Sequence, residues 1–318
     1  MQLPLKDPSA ESLPINSEEN PVLAALDIGS NSFHIVVARR VGTDFQILER
    51  LKEQVQLAAG LDKDLVLDDA ATKRAIKCLD NFSGLLKDIP PENIRAVATH
   101  TLRVAQNADG FLAKAAKHFP VPIQVISGTE EARLIYKGVS HISDIKRQML
   151  VMDIGGGSTE FVIGSEFKEK RLCSQPIGCV NLTKTCLGDG KISNSRFIQM
   201  VERSEKEIEK FRKAYLKTGW ELCLGSSGSI KTVSRILKAE GYNKRSITID
   251  HLFNIRERLL DFKCLEDVGI EGVVPARARI LPAAVAILIA AFKLLEIERM
   301  EYSRGALREG LLYDMIPD

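Results

Sequence analysis

The sequence has no paired cysteines, no membrane-length apolar run and almost no net charge. Its six cysteines are scattered without a C-x-x-C motif, a pattern that favours reduced thiols in a cytoplasm over a disulfide framework or a zinc site. The strongly apolar stretch 280–292 is well short of the ~20 residues that span a bilayer, so we expect a buried helix there and no membrane insertion. A formal net charge of only +2 gives no global field for an anionic polymer, and nucleic acid is not an expected partner. Any affinity for anions must come from local basic groups and backbone amides.

The length and composition are typical of a soluble protein with two domains. At 318 residues the chain is too long for one ordinary core and suits two domains of ~150 residues. Hydrophobic residues make up 45% and charged residues 27%, the balance of a globular protein. Residues 1–20 are rich in Pro, Ser, Glu and Asn and lack the apolar run of a signal peptide. We therefore expect a flexible leader at 1–20 and a cytoplasmic location.

Hydrophobic periodicity predicts strands alternating with helices in both halves of the chain, which indicates an α/β architecture. In the first half the predicted strands are 22–28, 33–38, 45–57, 95–99 and 123–126, and the helices are 68–87 and 108–118. In the second half the predicted strands are 149–154, 159–163 and 221–224, and the helices are 195–217, 230–239, 280–292 and 306–315.

One short segment occurs twice. The sequence DIGSNS at 27–32 is echoed by DIGGGS at 153–158, an offset of 126 residues, and Val36 and Val162 fall in register. Two domains built on one plan would explain the echo. Chance similarity of two short turns is the alternative at this point.

Each of these glycine-rich turns follows one apolar segment and precedes another, which predicts strand–turn–strand hairpins. Glycine lets the backbone come close to a ligand, and consecutive amides form a concave nest for phosphate oxygens. A third glycine-rich turn, 225–229, follows a strand and opens the helix predicted from Ile230, and helix N-termini favour anions. Ordinary hairpins and a plain serine-capped helix are the alternatives. The candidate phosphate-binding residues are Gly29, Ser30, Asn31, Ser32, Gly155, Gly156, Gly157, Ser158, Gly225, Ser226, Ser227, Gly228 and Ser229.

The pair of Asp-led loops resembles the actin, sugar kinase and Hsp70 superfamily, whose members hold a phosphate chain between two similar domains. Within it, the chain from about 23 to 315 resembles the exopolyphosphatase / guanosine pentaphosphate phosphohydrolase family, closest to exopolyphosphatase. The motifs that carry the resemblance, in chain order, are LDIGSNSFH (26–34), ATHTLR (98–103), ISGTEEARLI (126–135), DIGGGSTE (153–160), GSSGSIK (225–231) and GALREGL (305–311).

The resemblance implies a fold of two actin-like, ribonuclease H-like domains at 21–133 and 134–318 with a cleft between them, the last helix packing back on the first domain. It also implies a hydrolase in which Glu131 is the catalytic base and Arg103, on the loop after a strand, grips a phosphate. Asp153 and Glu160 correspond to the positions that hold the catalytic Mg²⁺ (or Mn²⁺), in keeping with the preference of that ion for carboxylate oxygens. The neighbouring Glu130 is expected only at the helix end, since adjacent helical residues point ~100° apart.

Four other residues are assigned lesser roles. Asp27 is the counterpart of Asp153 in the first loop, with a less defined function. Lys231, Arg277 and Arg279 could extend an anion track, but solvated surface charge is the favoured interpretation of each. The five histidines have no metal-ligand spacing, and His34 is expected to be structural.

Two family substrates compete. The segments 99–101 and 155–157 resemble the exopolyphosphatase branch, whereas 88–91 and 286–290 lean toward the guanosine pentaphosphate branch that is tied to the stringent response. We favour inorganic polyphosphate, with guanosine pentaphosphate as the alternative. A homodimer is compatible with either. The sequence ends soon after 307–310, before the extra helical C-terminal domain of longer members would begin, which fits either a short member or a piece of a longer one. An ATP-dependent kinase or ATPase of the actin-like superfamily is the alternative of another class, and a non-catalytic binding module is a third.

Overall fold

The computed structural model describes residues 20–242 and 246–316, so the predicted leader at 1–20 lies outside the described residues apart from Asn20. Two mixed sheets form the framework. The first half contains β1 (Val22–Ile28), β2 (Phe33–Val41), β3 (Asp44–Glu53), α1 (Asp69–Ser83), β4 (Ile94–Ala98), α2 (His100–Val104), α3 (Ala108–Ala115), β5 (Ile123–Val125) and α4 (Gly128–Ser143). The second half contains β6 (Met149–Ile154), β7 (Thr159–Ser165), β8 (Lys168–Gln175), α5 (Cys179–Cys186), α6 (Asn194–Thr218), β9 (Leu222–Ser226), α7 (Ser227–Ala239), β10 (Ser246–Ile247), α8 (Ile249–Leu260), α9 (Pro275–Ala278), α10 (Leu281–Leu294), β11 (Met300–Tyr302) and α11 (Leu307–Asp314).

The two sheets repeat one strand order. The first runs β3-β2-β1-β4-β5, and the second runs β8-β7-β6-β9-β11 with β10 added at the edge. In each, an antiparallel hairpin is followed by a parallel strand. Asp27 is opposite His34 in the first hairpin, and Asp153 is opposite Glu160 in the second, so the 126-residue echo is a repeat of structure. The predicted α/β fold and both strand–turn–strand loops are confirmed.

The central strands of both sheets are buried on both faces, and the alternation of side chains along each strand decides which of them meet the other domain. In β1, Leu26 and Ile28 pack outward among the helices of the first half, whereas Leu23 and Ala25 pack inward in a core shared by both halves. Successive strand side chains point to opposite faces, so Asp27 continues the inward series. The same parity in β6, β7 and β2 turns Asp153, Glu160 and His34 inward.

Two helices fill the space between the sheets, and each covers the sheet of the other half. Helix α4 packs on β6, β7 and β8, whereas α11 packs on β1, β2 and α4. The helices cross at glycines: a Cβ on Gly138 would lie 2.2 Å from the Ala306 carbonyl oxygen, and one on Gly310 would lie 1.8 Å from that of Leu134. The boundary predicted at 133/134 falls inside α4.

An ion cluster fixes the far end of α11. The Asp314 carboxylate accepts from Arg133 at 2.9 Å and from Lys137 at 3.2 Å, and it also pairs with Arg95 of β4. Nearby, the ring of Tyr313 meets Phe45 edge-on at 5.0 Å. These contacts attach the last helix of the second half to the first.

Several predicted boundaries need correction. The strand predicted to reach 57 ends at Glu53, because the chain turns back at Gln56 and its backbone N–H bonds to Asn31 of the first loop at 2.9 Å. The helices predicted at 68–87 and 108–118 end earlier, at Ser83 and Ala115. The apolar stretch predicted as a buried helix is α10, whose residues 281–292 are all buried. Within the described residues we find no helix that combines the length and apolar character needed to cross a membrane.

Candidate active site

A cavity of about 240 Å³ lies between the two sheets at the carboxyl ends of β1 and β6. Its floor is formed by the two Asp-led loops and the N-terminal turns of α4 and α7. Predicted residues that line it are Gly29, Ser30, Asn31, Ser32, Glu131, Asp153, Gly155, Gly156, Gly157, Ser158, Ser226, Ser227 and Gly228, together with Asp27. We call this cavity the cleft.

The two loops have the same local packing and face each other. A Cβ on Gly29 would lie 2.9 Å from the Ser32 carbonyl oxygen, and one on Gly155 would lie 3.0 Å from that of Ser158. The loops approach so closely that a Cβ on Gly156 would lie 2.8 Å from the Ser30 Cβ. Glycine at these positions therefore lets two backbones converge on a space with room for a phosphate chain.

The third turn differs from its prediction. Helix α7 begins at Ser227, three residues before the predicted start, so Ser227, Gly228 and Ser229 belong to its first turn. Ser227 lines the cleft with a φ of 84°, a left-handed conformation that is rare outside glycine and concentrates at functional sites. Gly225 and Ser229 lie behind the cleft: a Cβ on Gly225 would lie 2.6 Å from the Met300 sulfur, and the Ser229 hydroxyl is 3.6 Å from the Cys179 sulfur.

Glu131 and Glu130 separate as helix geometry requires. The Glu131 side chain lines the cleft and is buried. Glu130 accepts from Arg133 at 2.7 and 2.8 Å on the other side of α4. Burial and the neighbouring Glu160 raise the pKa of Glu131 well above its usual value, and Arg103 opposes the shift.

Arg103 was predicted to lie on a loop, and its position in the structure differs. It lies in the short helix α2 rather than in a loop, and it is not among the residues that line the cleft. Its guanidinium donates to Glu131 Oε2 at 3.1 Å and to the Ile126 carbonyl at 2.9 Å. Arg103 therefore orients the Glu131 carboxylate, and its contact with a phosphate stays a prediction.

Three further carboxyl groups lie buried on the inner faces of the hairpins. Burial raises the pKa of Asp27 to about 7, against the opposing charge of Arg308. Burial raises the pKa of Asp153 to about 6, and burial with the nearby Asp153 raises the pKa of Glu160 to about 7. A cation bound among these closely spaced carboxyl groups would favour their charged forms.

Asp153 lines the cleft and Glu160 lies buried behind its lining, and together they offer the carboxylate donors that a magnesium ion would need. They are direct cross-strand partners. Glu160 accepts from the Ser174 hydroxyl at 2.7 Å through Oε1, whereas its buried Oε2 has no hydrogen-bond partner within the described residues. No cluster of three or more His, Cys, Asp or Glu side chains suited to a metal occurs in 20–242 and 246–316. Mg²⁺ commonly binds one or two carboxylates and completes its shell with water and phosphate oxygens, which matches this donor set.

Basic side chains also line the cleft. Some were predicted to be solvated surface charges, and the others were not predicted as site residues. Arg277 and Lys231, expected at the surface, both line it, and the Arg277 guanidinium packs against Gly228. Arg279 behaves as expected and pairs with Glu266. Other lining cations are Lys52, Arg304 and Arg308. They come from β3, from the segment before α11 and from the first turn of α11, and no local pattern places those segments beside the loops.

Two histidines also line the cleft. His34, expected to be structural, faces Arg308, and burial lowers its pKa well below the usual value. His100 packs on the second loop, where a Cβ on Gly157 would lie 2.3 Å from its ring. Both ring nitrogens of His100 are buried without a hydrogen-bond partner in the described part of the chain, so its imidazole can bond to a ligand.

Comparison with known proteins identifies one family. The model of the Ppx/GppA phosphatase family matches residues 36–318. The chain is 42% identical over 299 residues to the guanosine-5'-triphosphate,3'-diphosphate pyrophosphatase of Vibrio parahaemolyticus, covering 94% of this chain and 60% of that protein. It is 43% identical over 293 residues to a Haemophilus influenzae protein named "Putative exopolyphosphatase", covering 92% of this chain and 91% of that one. The chain thus spans 60% of the length of the Vibrio relative and nearly all of the Haemophilus one.

Solved structures share the fold. The Ppx/GppA family member of Aquifex aeolicus superposes with a TM-score of 0.77 at 24% identity, covering 93% of this chain and 97% of that one. An exopolyphosphatase from Cytophaga hutchinsonii superposes with a TM-score of 0.82 at 23% identity, covering 92% and 97%. At these identities the likeness is one of fold, the two-domain actin-like fold. With a matched family model and close relatives over most of its length, the chain belongs to the Ppx/GppA phosphatase family.

Proposed function

We propose that the protein is a metal-dependent phosphohydrolase that removes terminal phosphate groups from a polyphosphorylated substrate. The observation that carries the proposal is the position of Glu131. Its buried carboxylate lines a cleft between two glycine-rich loops and lies close enough to Glu160 for that group to raise its pKa. Phosphoanhydride hydrolysis needs these parts together: an anion cradle, a base and positive charge on the phosphoryl oxygens.

The loops, the basic side chains and Glu131 have separate tasks in the proposed reaction. Backbone amides of 29–32 and 155–158 hold phosphoryl oxygens, aided by Arg277 and Lys231. Water attacks the terminal phosphorus in line with its bond to the bridging oxygen. Glu131 takes the proton from that water, and the electron pair of the broken bond leaves with the shortened substrate. A raised pKa makes Glu131 a stronger base than an exposed carboxylate.

Two other groups support these tasks. Arg103 holds the Glu131 carboxylate by its 3.1 Å bond to Oε2, which makes it a positioning residue. Asp153 and Glu160 would hold Mg²⁺ (or Mn²⁺), which supplies positive charge to the phosphate chain when bound. Ser174 fixes one oxygen of Glu160 and leaves the other free to bind an ion.

Inorganic polyphosphate is the substrate that we propose first. The cleft is lined by loop backbone, carboxylates and basic side chains, which suits a uniform chain of phosphates. Guanosine pentaphosphate is the second candidate, and the name of the Vibrio relative favours it. ATP is the third substrate to test, because its hydrolysis would indicate the kinase or ATPase class.

A matched pair of adjacent glutamates tests the proposed base. Phosphate release is measured with Mg²⁺ from long polyphosphate, guanosine pentaphosphate and ATP, for wild type, Glu131→Gln and Glu130→Gln. Loss of a general base costs roughly 10²–10⁴-fold in rate, so Glu131→Gln should fall by that factor. Glu130→Gln, which changes an ion pair outside the cleft, should stay within a few-fold of wild type. Equal rates in wild type and Glu131→Gln would refute the base, and turnover of ATP alone would move the protein to the ATPase class.

A further inference from the structure

A second cavity of about 630 Å³ opens beside the cleft, and we call it the side chamber. The two cavities share Lys231, Tyr302, Arg304 and Arg308 in their linings. The side chamber therefore adjoins the cleft, and these four side chains lie where a ligand held by the loops would extend toward it.

The lining of the side chamber carries charge of one sign. Its charged side chains are Arg50, Lys231, Arg235, Lys238, Arg304 and Arg308, and among the described residues no Asp or Glu lines it. Glu309 pairs with Arg50 at 3.2 Å and with Arg308 at 3.7 Å. The other four have no acidic partner within 4.0 Å among residues 20–242 and 246–316.

These cations are close enough to oppose one another. Burial lowers the pKa of Lys231, and so do Arg235, Arg308, Arg304 and Arg50. Like charges at such spacing destabilise the folded state unless an anion lies among them. The whole chain has a formal net charge of only +2, so this excess is local, and a concave surface with charge of one sign raises the local concentration of the opposite one.

We propose that the side chamber binds a second phosphate group of the substrate, at a distance from the phosphate that is cleaved. The proposal rests on the proposed phosphohydrolase function. Its ligand is an anionic phosphate group that belongs to the same molecule as the scissile bond. Two sources share that chemistry: the later phosphates of a polyphosphate chain, and the 3'-diphosphate of guanosine pentaphosphate.

Arg235 and Lys238 are the residues to change, because both line the side chamber and neither lines the cleft. Both have exposed side chains, so their loss should leave the fold intact. The test compares the double variant Arg235→Ala/Lys238→Ala with the control Lys206→Ala/Lys213→Ala. The control removes the same two charges from exposed positions of α6 that line neither cavity.

Four substrates distinguish binding in the side chamber from binding in the cleft. Tripolyphosphate and GTP present a triphosphate end only, whereas long polyphosphate and guanosine pentaphosphate each carry further phosphates. We expect the double variant to raise KM roughly tenfold for at least one of the longer substrates, with kcat unchanged, since loss of about 1.4 kcal/mol of binding is tenfold. A higher KM for polyphosphate alone would mean that the side chamber binds the later phosphates of polyphosphate. A higher KM for guanosine pentaphosphate alone would mean that it binds the 3'-diphosphate. A uniform rise that includes tripolyphosphate and GTP, or no difference from the control, overturns the proposal.

Binding measurements test the side chamber independently of the proposed hydrolysis. If wild type hydrolyses none of the four, the proposed function fails, and calorimetric titration of wild type and both variants with long polyphosphate and with guanosine pentaphosphate still decides the chamber. Weaker binding to the double variant than to the control supports the chamber, and equal binding to both refutes it.

Discussion

Replacing Gly310 with alanine should separate the two crossing helices and destabilise the whole protein. The added Cβ would lie 1.8 Å from the Leu134 carbonyl oxygen, whereas real Cβ contacts essentially never fall below 3.0 Å. The obstacle is backbone, so no side chain can rotate away, and α4 and α11 must part by about 1 Å or more. Overpacking a core costs about 1–3 kcal/mol when side chains can adjust. We therefore expect a loss near 3 kcal/mol, out of a total stability of about 5–15 kcal/mol.

Gly110 provides the matched control for this change. It lies in α3, its φ is not in the left-handed region, and an added Cβ would meet nothing within 4 Å. Alanine there should stabilise the protein by about 0.5–1 kcal/mol through helix propensity alone. The free energy of unfolding is measured by urea denaturation for Gly310→Ala, Gly110→Ala and wild type. A Gly310→Ala protein as stable as Gly110→Ala would refute the contact between the two helices.

Gly138, on the other helix of the crossing, provides a second test. A Cβ on Gly138 would lie 2.2 Å from the Ala306 carbonyl oxygen and 2.6 Å from the Gly310 amide nitrogen, so Gly138→Ala should destabilise in the same way. Since both changes force open one crossing, their costs should not add, and the double variant should lose less than the sum. Phosphate release should fall with Gly310→Ala at temperatures where the protein is still folded, because α4 carries Glu131.

Three other predictions concern the site and its supports. His100→Ala removes an imidazole whose two nitrogens have no hydrogen-bond partner among the described residues, and it should lower kcat/KM for the preferred substrate roughly tenfold. His118→Ala, which breaks a surface pair with Asp80, should not. Burial opposes ionisation of Asp314, but bonds from Arg133, Arg95 and Lys137 outweigh it and hold its pKa well below the usual value. Its stabilising contribution is then present above the unfolded pKa of about 3.9 and is lost at lower pH, so the difference in unfolding free energy between wild type and Asp314→Asn should shrink from pH 7 to pH 3. Finally, EDTA should abolish phosphate release and added Mg²⁺ should restore it, with Asp153→Asn needing far more Mg²⁺ than wild type; full activity in EDTA would remove the metal from the proposal.

The parts of the site that sequence could predict are local in the chain. Asp27 and Asp153 each precede a glycine-rich turn between two apolar segments, so both hairpins and their resemblance could be read from a few residues. Glu131 follows a serine cap at a helix start, and helix geometry then separates it from Glu130. Each of these features depends on neighbours within about ten residues.

The missed parts depend on the tertiary fold. Lys231 and Arg277 look like surface charges in their own segments, and only the packing of the second half turns them toward the loops. His34 lines the cleft because strand parity aims it inward opposite Asp27, a consequence of which sheet face meets the other domain. Arg103 donates to Glu131, 28 positions further along the chain, a contact that only the tertiary fold creates, and its contact with a phosphate stays a prediction.

The exchange of α4 and α11 between the two halves has a consequence for synthesis of the chain. The inward residues of the first sheet, such as Leu23 and Val36, are covered by α11, and the bond between Arg95 and Asp314 joins positions 219 residues apart. A ribosome releases the first sheet long before it releases the helix that covers it. The N-terminal half must therefore wait, with one face exposed, until residues 307–314 emerge. Contacts of such sequence separation fold slowly and leave apolar surface open to aggregation, so the first half to be made is the last to be finished.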